Sequence, residues 1–419
     1  MKKIILAIVF LSANIFAQAQ FGGVLDKAKK KAEEKVSKKS DDAEKKVDDK
    51  MEGKTNGGNE DGSSTNTSEG SGSSESAPSG VKTYSKFDFI PGEKIVVIED
   101  FMQDVVGDFP GKWSTSSSGE VVTIEGKEGH WFLMPQPGTF MPEFIDTLPD
   151  NFTFEFDMFC IHGNKTGSWG TFHTALCELS DRGKPQHWQM ANNNYFFSVY
   201  GGNSTDATIN YGFRKNGESQ PSVQIFTKQV ADKTKPVHVS VWRQKERVRV
   251  YFNEEKVLDL PKALVPGIKY NSILYYQPTV DEANHYAVSN LRLAVGAPDT
   301  RNKLLTEGKW VTHGILFDVN SANIKAESFG TMKEIAGVLK ENAAVKVKIV
   351  GHTDSDGDES KNMDLSKRRA ASVKEMLAKE FGIDETRMET GGLGESKPVD
   401  KNDNSAGKAN NRRVEFVKI

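Results

Sequence analysis

A short polar turn and a nearby pair of arginines are the residues of this sequence best suited to bind a charged ligand. Gly351-His-Thr-Asp354 ends an apolar strand, and the helix predicted to follow, beginning near Asn362 and Asp364, carries Arg368 and Arg369. Strand ends are where α/β folds usually place ligand sites. An aspartate carboxylate pairs with an ammonium, and an arginine guanidinium binds a carboxylate. An aspartate and an arginine that lie together therefore suit a zwitterionic ligand. From spacing alone, an internal aspartate–arginine pair is the favoured interpretation.

The same turn is acidic, but its spacing is not typical of a metal site. Aspartates occupy alternate positions from 354 to 358, as in a calcium loop. An EF-hand loop needs glycine at its sixth position and glutamate at its twelfth, where this sequence has Glu359 and Leu365. His352 has no second histidine or cysteine nearby in the sequence. We therefore expect neither a metal nor another cofactor.

Alternating strand and helix patterns surround this turn and must position it. Apolar spacing predicts strands over 315–319, 345–349, 390–394 and 414–419, and helices over 329–339 and 365–377. Such an order predicts an α/β layer with helices packed on a sheet.

Five motifs in this region, in order, resemble the OmpA-like peptidoglycan-binding domain, a βαβαβ fold. They are Phe317-Asp-Val-Asn-Ser-Ala-Asn-Ile324, Gly351-His-Thr-Asp354, Asn362-Met-Asp-Leu-Ser-Lys-Arg-Arg369-Ala370, Gly392-Leu-Gly-Glu-Ser-Lys-Pro398 and Asn411-Arg-Arg-Val-Glu415. The resemblance covers residues 315–419, and we assign the domain to residues 311–419 after a polar connector at 299–310.

The resemblance implies a ligand and a set of contacts. In that family the ligand is the diaminopimelate residue of the peptidoglycan stem peptide. The aspartate of the His-Thr-Asp motif matches Asp354, and the arginine of the Leu-Ser-x-x-Arg-Ala motif matches Arg369. The family's asparagine matches Asn362, and Thr353 and Asp318 occupy positions that line the same groove.

Residues 81–298 show the alternation typical of short β-strands. Phe152-Thr-Phe-Glu-Phe-Asp-Met, Val237-His-Val-Ser-Val-Trp and Val248-Arg-Val-Tyr-Phe alternate between turn clusters, and no helix of ordinary length interrupts them. This pattern predicts a two-sheet sandwich. Together with Glu99-Asp-Phe, these motifs resemble the concanavalin-like jelly-roll sandwiches.

Glycoside hydrolases occur among such sandwiches, so an enzyme must be considered. Glu155 and Asp157 lie two apart on one strand, but the family-type signature continues with a third carboxylate where this sequence has Cys160. We interpret the two carboxylates as the solvated face of a strand and predict no catalysis. Aromatic candidates for sugar stacking, each more often buried in a core than functional, are Trp169, Trp188, Tyr195, Tyr200 and Tyr211.

The two cysteines of the chain are Cys160 and Cys177. Both lie in predicted strands, and a hairpin could bring them together as a disulfide. Two buried thiols are the equally open alternative.

The start of the chain has the features of an exported protein. A basic residue pair, a short apolar run and Ala17-Gln-Ala19 predict a signal peptide over 1–19. Residues 20–52 alternate lysine with acidic residues and predict a charged helix, and 53–80 predict a flexible Gly/Ser-rich linker. Export places the protein in the periplasm, associated with peptidoglycan, and could bring it to the inner face of the outer membrane.

The overall charge of the chain argues against two classes of binding partner. The 55 basic and 58 acidic residues give a net charge of −3, which offers no electrostatic case for binding nucleic acid or an anionic membrane. The sequence therefore predicts a non-catalytic envelope protein that binds the peptidoglycan stem peptide and carries a sandwich for a glycan or an envelope protein. A wall-associated glycoside hydrolase and a purely structural spacer are the alternatives.

Overall fold

The computed structural model describes residues 87–162, 171–184, 187–201, 207–230, 232, 234–278, 284–296 and 299–419. The predicted signal peptide, charged helix and linker lie outside these residues. Gly80–Ile419 form one compact unit. Within the described residues, no helix combines the length and the apolar character needed to cross a membrane.

In the part of the chain that the structure describes, two antiparallel sheets of eight strands each build the first part of this unit. Sheet I consists of β1 (Lys94–Glu99), β3 (Glu120–Val122), β4 (Trp131–Met134), β6 (Asn151–His162), β12 (Val237–Gln244), β13 (Arg247–Phe252), β14 (Glu255–Leu260) and β16 (Asn284–Val295). Sheet II consists of β2 (Trp113–Thr115), β5 (Gly138–Pro142), β7 (Thr171–Cys177), β8 (Asn194–Gly201), β9 (Ala207–Lys215), β10 (Glu218–Ser219), β11 (Val223–Thr227) and β15 (Ser272–Gln277).

The sandwich core forms because successive side chains of a strand point to opposite faces. In β6, Phe154, Phe156 and Met158 enter the core, where they join side chains from sheet II such as Phe172 and Tyr275. The predicted two-sheet architecture is confirmed, and both sheets are antiparallel. The likeness to concanavalin-type jelly rolls stays a prediction.

A mixed α/β layer follows the sandwich. Its sheet runs β17 (Lys309–Thr312), β20 (Val414–Lys418), β18 (Val347–Gly351) and β19 (Met388–Gly392), with β18 and β19 parallel and the other pairs antiparallel. The helices are α1 (Thr300–Leu305), α2 (Phe329–Glu341), α3 (Glu359–Lys379) and α4 (Ser405–Asn411).

This layer confirms the predicted α/β class but corrects two elements. The stretch predicted as a polar connector, 299–310, contains α1 and the beginning of β17. The predicted strand at 315–319 is wrong, because there only Phe317 forms a single bridge, to Ile324. The first strand lies upstream because Trp310 enters the domain core and stacks on Phe416 of β20.

The sandwich and the α/β layer share a packed interface. Ile95 of β1 and Ala294 of β16 pack on Ala409 of α4. Asn410 accepts a hydrogen bond from the Ile95 amide at 3.0 Å and donates one to the Ile95 carbonyl at 2.9 Å. Gly330 on α2 approaches the carbonyl of Phe89 so closely that a Cβ would lie 2.2 Å from that oxygen.

Of the two alternatives left open for the cysteines, the structure has the two buried thiols. Cys160 lies on β6 of sheet I, and Cys177 lies on β7 of sheet II. The Cys160 side chain enters the sandwich core, whereas the Cys177 side chain belongs to a separate cluster with Met141 and Leu179. No disulfide joins them. The hairpin expectation failed because the chain between them changes sheets.

Candidate functional site

Asp354 follows the end of β18, as the sequence predicts. It is almost fully buried, and its carboxylate forms an ion pair with Arg412, whose side chain is 46% exposed. The other carboxylate oxygen accepts a hydrogen bond from the amide of Asp356 at 3.2 Å. The carboxylate is therefore fixed at a strand end, with a half-exposed guanidinium as its partner.

Arg369 lies on α3, the helix that follows the turn after Asp354. Its Nε donates to the carbonyl of Ser321 at 3.0 Å, and its guanidinium stacks on Phe317 at 4.9 Å. No carboxylate of the described residues lies within 4.0 Å of this guanidinium, so the interpretation as an internal Asp354–Arg369 pair is not supported. Burial and the neighbouring charge of Arg412 lower the pKa of Arg369, which is partly offset by Asp354.

The three remaining predicted site residues play different parts. The Asn362 amide donates to the carbonyl of Asp356 at 3.0 Å and to Glu395 at 2.7 Å, so it fastens the turn. Thr353 is buried, and its amide donates to Gly394. Asp318 is exposed in the 316–324 loop and does not line the cavity described next.

A cavity of about 440 Å³ opens beside Arg369 and Arg412. One wall comes from the α/β layer and includes Phe317 and His352. The opposite wall comes from the sandwich and is formed by residues of β1 and β16, including Ile98. We call this space the interdomain cleft. Its volume falls within the range of about 300–1,000 Å³ typical of small-molecule sites.

A buried ionic cluster stands behind the sandwich wall. His238 lies 2.7 Å from Asp157 and 3.5 Å from Glu155, and Arg292 lies 3.7 Å from Glu155. Glu155 is only 3% exposed, so its interpretation as part of a solvated strand face is wrong. Burial alone would raise the pKa of Glu155, but Arg292 and His238 outweigh it and lower that pKa.

This cluster predicts a pH dependence of stability. Burial alone would lower the pKa of His238, but Asp157 and Glu155 raise it from 6.5 to about 10. The folded protein thus keeps a proton that the unfolded chain releases, so the free energy of unfolding should fall as pH rises from about 7 to 10. Urea denaturation of the wild type and of His238→Gln at several pH values measures this. Equal pH slopes for the two proteins would contradict the cluster's protonation.

The aromatic candidates of the sandwich are not gathered at one site. Tyr195 is fully buried in the core, and Tyr211 packs against that core. Tyr200 is exposed at the end of β8. Trp169 and the side chain of Trp188 lie outside the described residues.

The C-terminal segment that carries Asp354, Arg369 and Arg412 is similar to a known protein family. A model of the OmpA family matches residues 316–412. These residues form an OmpA family domain. The match includes the predicted turn, its following helix and α4, and it lies inside the range of 311–419 assigned from the motifs.

Curated relatives of the OmpA-like domain include three envelope proteins. Outer membrane porin F of Pseudomonas aeruginosa is 38% identical over 101 residues, covering 24% of this chain and 29% of the relative. The probable lipoprotein YiaD of Escherichia coli is 42% identical, covering 25% and 48%. The outer-membrane lipoprotein YfiB of Pseudomonas aeruginosa is 41% identical, covering 25% and 61%. The chain thus spans less than two thirds of these relatives.

Solved structures with some similarity cover a similar share. The cell wall anchor of the T6SS from Pseudomonas aeruginosa is 29% identical with a TM-score of 0.24, covering 26% of this chain and 80% of that one. The peptidoglycan-associated lipoprotein from Burkholderia pseudomallei is 27% identical with a TM-score of 0.25, covering 29% and 98%.

Two features of the site were missed by sequence reasoning. Arg412 lies within a motif that indicated the family, but nothing in the sequence pairs it with Asp354, 58 positions away. The sandwich wall of the cleft was also missed. Its residues carry the ordinary alternation of strands, which contains no signal for what packs against the outer face.

Proposed function

We propose that this protein is a non-catalytic component of the bacterial cell envelope whose OmpA-like domain binds peptidoglycan. The ligand is the diaminopimelate residue of the stem peptide, and the sandwich acts as a binding or adaptor module held at the wall in the periplasm. The observation that carries the proposal is the Arg369 guanidinium, which lines the cleft and has no carboxylate partner among the described residues.

The chemistry of the two charged groups suits the free end of diaminopimelate, which carries an ammonium and a carboxylate on one carbon. Arg369 provides a guanidinium held by Ser321 and Phe317, which can bind the carboxylate through two hydrogen bonds. Asp354 provides the carboxylate for the ammonium. The ammonium would join or displace the exposed Arg412 at that position.

The ionic cluster of the sandwich supports a non-catalytic role. A glycoside hydrolase needs one carboxyl group that stays protonated to act as the acid. The pKa values of Glu155 and Asp157 are both lowered by charged and hydrogen-bonding neighbours. Glu155 is also closed off from solvent. Both carboxylates are therefore better suited to hold the interface than to protonate a substrate.

Sedimentation with purified peptidoglycan tests the proposal. The full chain is expected to co-sediment with peptidoglycan of the diaminopimelate type and much less with the lysine type, which lacks the terminal carboxylate. Free meso-diaminopimelate should compete. Equal sedimentation with both types, or none with either from a folded protein, would show that the proposed ligand is wrong.

A further inference from the structure

The interdomain cleft is built by two parts of the chain. Ile98 of β1 and Asn290 of β16 line it from the sandwich, while Lys325 and Arg369 line it from the OmpA-like domain. Asn290 sits where the register of β16 shifts and has a positive φ of 53°. Its amide donates to Asp157 at 2.7 Å, so the sandwich wall is held in place by the ionic cluster.

The cleft carries more positive than negative charge. Among the described residues, its lysine and arginine side chains are Arg292, Lys325, Arg369, Arg412 and Arg413. Three of them have carboxylate partners within 4.0 Å, namely Glu155, Asp354 and Glu415.

Lys325 and Arg369 are the two cleft cations that have no carboxylate partner within 4.0 Å among the described residues. Lys325 is exposed at its end of the 316–325 loop, and no carboxylate of the described residues lies within 4.0 Å of its ammonium. Burial raises the pKa of Asp157, but His238, Asn290 and, least of the three, Lys325 outweigh burial and lower that pKa. Asp157 is already bonded to His238 and Asn290. The ammonium of Lys325 is therefore available to a ligand.

We propose that the sandwich completes the peptidoglycan-binding cleft and that the cleft holds two carboxylates of one ligand, one at Arg369 and one at Lys325. The inference rests on the proposed function, because Arg369 is assigned to the diaminopimelate terminus. The stem peptide fits this chemistry, since it carries further carboxylates besides that terminus. A second carboxylate would balance the remaining cation, whereas a neutral glycan would leave it unpaired.

Titration calorimetry of the full chain with the tripeptide L-Ala-γ-D-Glu-meso-diaminopimelate tests the second anion contact. Lys325→Met is expected to weaken binding about fivefold, the effect of losing one solvent-accessible ion pair. Lys333→Met, which removes an exposed lysine of α2 outside the cleft, is the matched control and should bind like the wild type.

Singly amidated tripeptides identify the partner of Lys325. One of these peptides has its amide at the carboxylate that contacts Lys325. Wild type and Lys325→Met should bind that peptide equally. If Lys325→Met binds every peptide as the wild type does, the second contact does not exist.

Substitutions of Ile98 test the sandwich wall. Ile98→Glu places a negative charge in the cleft and should weaken tripeptide binding at least threefold at low salt relative to Ile98→Gln, which has the same shape without the charge. Val96, two residues away on β1, does not line the cleft, so Val96→Glu and Val96→Gln should bind equally. Equal affinities for the Ile98 pair would exclude the sandwich from the site.

The outcomes separate the two proposals. Failure of the wild type to bind the tripeptide would remove the proposed function. Binding that is lost in Asp354→Asn but unchanged in both Lys325→Met and Ile98→Glu would keep the proposed function and overturn the composite cleft.

Discussion

Asp354→Asn and Arg369→Gln are expected to weaken stem-peptide binding by about thirtyfold or more. Each substitution leaves one charge of the bound zwitterion desolvated and unpaired, which costs roughly 2–5 kcal/mol. The stability of the folded protein should change far less than the binding affinity. Asparagine can still accept the hydrogen bond from the amide of Asp356, and Arg412 is already half exposed, so water can solvate it when the carboxylate is lost. We therefore expect the free energy of unfolding to change by about 1 kcal/mol, the value of an ordinary hydrogen bond.

Calorimetry and thermal melts on the same proteins measure both effects. Arg368→Gln is the matched control for Arg369→Gln, because Arg368 is the preceding residue of α3, is exposed, and forms an i,i+4 ion pair with Asp364 at 2.8 Å. It should change neither binding nor stability. Retained binding together with a large loss of stability in the Asp354 or Arg369 variants would mean that these residues are structural.

Arg292→Ala should lower the free energy of unfolding by about 3–5 kcal/mol, the cost of breaking a buried ion pair by removing one partner. Arg292 lies beside the buried Glu155 and donates to the carbonyl of His313 at 3.0 Å, which links the sandwich to the OmpA-like domain. Its loss leaves His238 as the remaining cationic partner of Glu155 within 4.0 Å among the described residues. It also removes a hydrogen bond across the interface.

Urea denaturation followed by tryptophan fluorescence measures this loss. Lys379→Ala is the control, since it removes an exposed ion pair with Glu375 on α3 and should cost about 0.5 kcal/mol or less. A cost for Arg292→Ala no larger than that of the control would mean that the ionic cluster contributes little to the interface.

The parts of the fold that sequence could predict are those encoded by neighbouring residues. The alternation in β6 and the helical spacing in α3 identified both elements, and the motifs that make Asp354 and Arg369 candidates are local as well. The first strand of the α/β layer was misplaced because Lys309-Trp-Val-Thr312 is short and half polar. Its strand character comes from pairing with β20, more than a hundred residues later in the chain.

The interface between the two parts could not be predicted for the same reason. The outer face of sheet I carries Glu155, Asp157 and His238, and such residues normally face water. Their burial depends on Arg292 and on the docking of the OmpA-like domain, which involve residues far apart in the sequence. Cys160 and Cys177 show the opposite case, since their nearness in sequence left a hairpin open, whereas their strands lie in different sheets.

The two hydrogen bonds between Asn410 and Ile95 have a consequence for solubility. β1 pairs with β16 and has no other strand partner among the described residues, so one side of it is a sheet edge. Exposed edges recruit strands from other chains and promote aggregation. The Asn410 amide group satisfies both the N–H and the C=O of Ile95, as a neighbouring strand would. A single side chain thus occupies the hydrogen-bonding groups of Ile95 that an added strand would need, and it does so without lengthening the sheet.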